Sequence, residues 1–206
     1  MTQKQNESNL RPTMVPSLPA ASFVQLETLA NSLVGVTPGF QIDIVDGKFV
    51  PYVSWPFTEE EVLVEWNKIK TLPTDFYYEL DCMVVEPEQY LDIFTELPLT
   101  KVIIHVGSTD RYGEIIRHAR NNGYQIGLAF TNDVPLSFLY PYIEKIDFVQ
   151  IMGIAKVGRQ GQPFDERTLE NASKLRKLYP KLSIAVDGSV NAETIPRLLK
   201  AGVNHF

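Results

Sequence analysis

From Met14 onward, short β-branched runs alternate with amphipathic stretches and turn residues. Met14–Leu18 is a first apolar run. Over Ser22–Val34 the residues Phe23, Leu26, Leu29, Ala30 and Leu33 recur on one helical face, with Ser22 as N-cap. Phe40–Val45 reads as the next strand. Thr58–Lys70 reads as a helix with a Thr58/Glu61 capping box and a Val62/Trp66/Ile69 stripe. Further strands are expected at Phe76–Val84, Lys101–Val106, Tyr124–Phe130, Asp147–Met152 and Leu182–Asp187. Helices are expected at Pro87–Glu96, Asp110–Asn121 (closed by Asn122-Gly123), Pro135–Glu144, Asp165–Leu178 and Ala192–Lys200. Val203–Phe206 opens a further element.

Seven βα units in succession, with no strand-only region, predict an α/β fold built on a parallel sheet. Polar residues interrupt the strands at Gln41, Asp43, Glu79, Asp81, His105 and Asp187. A (β/α)8 TIM barrel accounts for them, because one strand face lines the barrel and its C-terminal rim carries chemistry. No GxGxxG follows the first strand, so a dinucleotide-binding open sheet is unsupported. Residues 1–13 read as a disordered polar tail and 14–206 as one barrel domain.

Composition narrows the function classes. The chain has 206 residues, 44% of them hydrophobic, and one cysteine, Cys82, which excludes an internal disulfide and suits a reducing cytoplasm. Nineteen basic against 25 acidic residues give a net charge of −6, which argues against a nucleic-acid surface or an anionic membrane. No apolar run is long enough to span a membrane.

Ser17, Asp43, Asp81, His105, Met152 and Asp187 stand at strand C-termini and would share one barrel mouth. Carboxylates gathered there repel one another, which a divalent cation or an acid/base division of labour would relieve. Alone, Asp43 and Asp187 are as readily structural as functional. Asp46, followed by Gly47, reads as a turn residue and His105 as a hydrogen-bonded core histidine. Met83 and Met152 are equally plain core. The loop IMGIAKVGRQGQPF has Gly153, Gly158 and Gly161, with Lys156 and Arg159, and suits anion contact or a lid.

Together VPSLPAASF, QIDIVDGKFVP, LDCMVVEPEQYL, IIHV, VQIMGIAKVGRQGQPF and IAVDGSVNAETIPRLLKAGV resemble the ribulose-phosphate 3-epimerase family, from about Met14 to the end. The resemblance implies a cytoplasmic, homo-oligomeric barrel enzyme that inverts C3 of a ketopentose 5-phosphate through an enediolate. Asp43 and Asp187 would be the acid/base pair. Asp43, Asp81, Asp187 and Gln41 would hold a divalent ion (Mn, Mg, Zn or Fe), and Ser17, Met83, Met152, Gly161, Gln162 and Gly188 would meet the substrate. Gln41 and Asp81 stand where the family has metal-binding histidines, and an all-oxygen set would favour Mn²⁺ or Mg²⁺ over Zn²⁺. The phosphate loop is altered, and the family's eighth strand, glycine-serine phosphate site and closing helix are not in the sequence, which implies open sheet edges at strands one and seven. A non-catalytic phosphosugar-binding barrel that has lost its metal is the alternative. A phosphate-binding barrel decarboxylase would need a lysine two residues after Asp43, where Val45 stands.

Overall fold

The computed structural model describes residues 11–96, 98–158 and 161–206. Most of the expected tail, and Arg159, lie outside the described residues. The chain divides into two compact units: Val15–Ile126, and Gly127–Phe206 together with the segment ahead of Val15.

The first unit carries β1 (Ser17–Pro19), α1 (Phe23–Ser32), β2 (Gly39–Val45), α2 (Val62–Trp66), β3 (Tyr77–Met83), α3 (Leu91–Glu96), β4 (Leu99–His105) and α4 (Tyr112–Asn122). Its strands pair in parallel and in chain order, β1-β2-β3-β4. A doubly wound sheet would reverse order beside its first strand; this run does not. β2 shows why the faces differ. Phe40, Ile42 and Ile44 point one way and Gln41, Asp43 and Val45 the other, by the two-residue period of a strand, and all seven residues are buried. Phe40 meets Phe76 and Tyr78 edge-on, with ring centroids 5.2 and 5.0 Å apart. Trp55 packs on Trp66 at 5.9 Å and donates its indole N–H to Glu65 Oε2 at 2.9 Å.

The second unit holds most of β5 (Gln125–Phe130), then β6 (Phe148–Met152), α5 (Arg167–Leu178), β7 (Ser183–Asp187) and α6 (Thr194–Ala201). Its strands are again parallel and sequential. The fold class is therefore α/β of the TIM-barrel type, with seven parallel strands among the described residues, six of them followed by an α-helix and β5 by a 3-10 turn.

Ser22 caps α1 by accepting the Gln25 N–H, and Gly123 closes α4 at φ 80°, both as expected. Three elements differ. Thr58 makes no capping box. Its hydroxyl donates to Ala21 O at 3.0 Å, so α2 starts only at Val62 and continues as a 3-10 turn over Asn67–Thr71. The helix expected over Pro135–Glu144 is a 3-10 turn, Leu136–Leu139, followed by turns. Pro141 lacks an N–H and clashes with the preceding turn, which ends the helix. The first turn of Pro87–Glu96 is likewise 3-10.

Val203–Phe206 forms isolated parallel bridges at His205, to Ala185 and to Thr13. Asn204 and His205 donate N–H groups to Ile184 O at 3.0 and 3.2 Å, and Val186 N–H donates to His205 O at 3.0 Å. On its other side Thr13 N–H donates to Asn204 O, and Phe206 N–H to Thr13 O, both at 3.0 Å. The β7 edge that the sequence leaves open is thus occupied at Ile184–Val186. Arg176 from α5 secures this turn, donating to Gly202 O at 2.7 Å and Leu182 O at 2.7 Å.

Candidate functional site

In the first unit, parallel register aligns Ser17 with Gln41, Gln41 with Glu79, and Asp43 with Asp81. Registered residues of neighbouring strands point to the same side, so Ser17, Gln41, Asp43, Glu79 and Asp81 share one face. Lys101 and His105 share it from β4, since Lys101 is registered with Glu79 and His105 lies four residues on. This face is polar and buried. Asp81 is fully enclosed and Glu79 is 1% exposed.

Each acid here has a nitrogen partner. Gln41 Nε2 donates to Asp43 Oδ1 at 3.0 Å. His105 Nε2 lies 2.7 Å from Asp81 Oδ1. Lys101 Nζ lies 2.7 Å from Glu79 Oε1. The repulsion expected among buried carboxylates is thereby relieved by neighbouring side chains.

The backbone at Asp43 is held from the following loop. Ser54 Oγ donates to Asp43 O at 3.0 Å and accepts the Val45 N–H at 2.9 Å. Asp46 is a turn residue, as expected: Oδ1 accepts from Lys48 and Phe49 N–H, and Oδ2 accepts the Val85 N–H beyond β3 at 2.9 Å. That bond ties the ends of β2 and β3 together, just after Asp43 and Met83. Met83 is buried. Beside Asp81, burial pushes the Cys82 thiol pKa well up, and the Asp81 charge adds to the shift.

In the second unit, Met152 is registered with Asp187 and Gln150 with Ala185, so Met152 and Asp187 share a face. Gly153 N–H donates to Asp187 O at 2.6 Å, bringing the ends of β6 and β7 together. Gly188 (φ 92°) and Ser189 (φ 54°) are both left-handed, which turns the chain sharply after β7. The Ser189 hydroxyl donates to Gln162 O, joining the Gly161–Gln162 segment to the turn after Gly188. The Gln162 amide is itself engaged, donating to Lys156 O at 2.6 Å and accepting Lys156 N–H at 3.1 Å. The sequence pattern of this loop does not reveal that clasp or Ser189, nor does it reveal Ser54 or the pairing of His105 with Asp81. A serine after the Asp187-Gly188 turn is the only local signal.

The implied divalent ion does not fit these side chains as they stand. Among the described residues, no three His, Cys, Asp or Glu side chains are grouped to hold a metal ion. Gln41 presents its amide nitrogen, a donor, to Asp43.

The profile of the Ribulose-phosphate 3 epimerase family matches residues 13–206. The chain belongs to that family. Ribulose-phosphate 3-epimerases similar to it include that of Schizosaccharomyces pombe, 29% identical over 192 residues, covering 93% of this chain and 82% of the relative. Those of Eremothecium gossypii (29% over 203 residues; 95% and 83% covered) and Bacillus subtilis (26% over 201 residues; 93% and 87%) are similar too. The epimerase-family match takes in both Asp43 and Asp187. A mutant tryptophan synthase alpha-subunit from Pyrococcus furiosus superposes with a TM-score of 0.70 at 15% identity, over 94% of this chain and 85% of that one, which supports the barrel-type fold alone. No helix among the described residues is long and apolar enough to cross a membrane.

Proposed function

We propose that residues 14–206 act as one domain that interconverts ribulose 5-phosphate and xylulose 5-phosphate by epimerisation at C3. The observation that carries this reading is the family match over residues 13–206, within which strand-end aspartates stand at Asp43 and Asp187. One aspartate removes the C3 proton to give an enediolate, and the other returns a proton to the opposite face, so the centre inverts. Gln41 holds the Asp43 carboxylate by its amide N–H, and Ser54 holds the Asp43 backbone. Ser17 contacts the sugar, and Met83 and Met152 supply apolar walls beside the reacting carbons. The glycine-lined turn at Gly161, Gln162 and Gly188 faces the phosphate, where its backbone lets an anion approach.

The enzyme is proposed to work in the cytoplasm as a homo-oligomer. One similar rice epimerase is named a cytoplasmic isoform. The proton transfers are assigned to the aspartates and not to a divalent Mn, Mg, Zn or Fe ion, since Gln41 and Asp43 bond each other and Asp81 bonds His105. The test is coupled turnover of ribulose 5-phosphate by the purified chain and by Asp43→Asn and Asp187→Asn. Each substitution is expected to lower kcat by about 100-fold or more. Absence of turnover by the parent chain, with or without added divalent ions, would leave a phosphosugar-binding barrel in its place.

A further inference from the structure

The β2–β4 face carries three buried acids and three nitrogen partners from the same chain: Asp43 with Gln41, Glu79 with Lys101, Asp81 with His105. Gln41 turns its amide N–H, and not its carbonyl, to Asp43 Oδ1 at 3.0 Å, the arrangement that suits an accepting carboxylate oxygen. An amide N–H cannot ligate a cation. The Asp81–His105 contact is equally committed. At 2.7 Å, with Asp81 0% and His105 2% exposed, the imidazole Nε2 occupies one carboxylate oxygen of Asp81. The Phe49 ring lies 5.4 Å from the imidazole and packs against it. An ion ligated by Gln41 would need the amide turned so that its carbonyl faces the ion, which breaks the bond to Asp43 Oδ1, and on Asp43 and Asp81 the oxygens that accept from Gln41 and pair with His105 are already engaged.

We propose that the Asp81–His105 hydrogen-bonded pair stands in the place of a metal site, and that this chain holds no divalent ion on Gln41, Asp43 and Asp81. The inference rests on reading these positions as the family's ligand positions. It concerns occupancy, so it is separable from turnover.

The experiment uses the full chain purified without a metal-affinity tag. Metal content is measured by mass spectrometry as purified, and after incubation with Mn²⁺ or Zn²⁺ followed by desalting. Calorimetric titration with each ion runs alongside. The parent chain is expected to retain no ion above the buffer blank and to give no binding isotherm. The double substitution Gln41→His with Asp81→His restores two imidazole ligands and should tighten Zn²⁺ binding by about 100-fold or more. Retention of a stoichiometric ion by the parent, lost in Asp81→Asn, would overturn the proposal. Should circular dichroism show the double variant unfolded, the parent's metal content decides alone. Turnover by the same metal-free preparation in chelator supports the proposal. Loss of turnover with no ion ever bound counts against the epimerase reading alone.

Discussion

Gly153 is the position where a single methyl group should do the most damage. A Cβ built there lies 2.2 Å from Gly188 O and 3.2 Å from Val186 Cγ1. The first neighbour is backbone, held in place because Gly153 N–H also donates to Asp187 O at 2.6 Å. Neither strand end can yield without breaking that bond. Gly153→Ala should therefore cost about 3 kcal/mol, the upper part of the overpacking range. For a chain of this size that lowers Tm by about 6–12 °C. Relief of the clash displaces Asp187, and a shift approaching 1 Å should reduce kcat/KM by about 100-fold. Gly113 is the internal comparison. It lies in α4, where an added methyl would have nothing within 4 Å, and Gly113→Ala should stabilise by about 0.5–1 kcal/mol. Urea melts and steady-state turnover on the two variants make the comparison. Equal midpoints and equal kcat/KM for Gly153→Ala and the parent would refute the reasoning.

Three further outcomes follow from the same geometry. Cys82 is buried and its thiol pKa is raised by burial, so Ellman's reagent should leave it unmodified in the folded chain and react promptly in denaturant. Gly202 ends α6 at φ 97°, and a Cβ there would lie 2.7 Å from Arg176 Cγ; Gly202→Ala should lower the urea midpoint, loosening the Val203–Phe206 segment. The Arg167 hydrogen bonds hold the Asp165 carboxyl below its ordinary pKa. That contribution is full above the unfolded value of about 3.9 and is lost as pH falls through the folded value, so Asp165→Asn should destabilise at pH 7 and converge with the parent in acid.

The faces of the strands were legible because a two-residue period separates Phe40, Ile42 and Ile44 from Gln41 and Asp43 without reference to any partner. Helix ends were legible where the signal is local, as at Ser22 and Gly123. What escaped depends on distant chain. Thr58 is drawn away from its helix by Ala21, 37 residues earlier. The pairing of His105 with Asp81 depends on a β3–β4 register that shifts at Tyr78/Glu79, which no pattern along either strand reveals. Asn204 and His205 gain their strand partner from Thr13, at the opposite end of the chain. The Pro135–Glu144 segment is different, since Pro141 was in plain view and outweighs the apolar spacing around it. For the site, carboxylates gathered at one mouth suit either a bound cation or acid/base work, the family resemblance alone assigns Asp43 and Asp187 to the latter, and the identity of each carboxylate's partner is tertiary information.

The most direct test of the central claim is proton nuclear magnetic resonance of ribulose 5-phosphate incubated with the chain in D2O. Epimerisation by two opposed aspartates predicts xylulose 5-phosphate carrying deuterium at C3, with both product and label abolished in Asp43→Asn and in Asp187→Asn. Xylulose 5-phosphate formed with the C3 proton fully retained, or formed at parental rate by either variant, would contradict it.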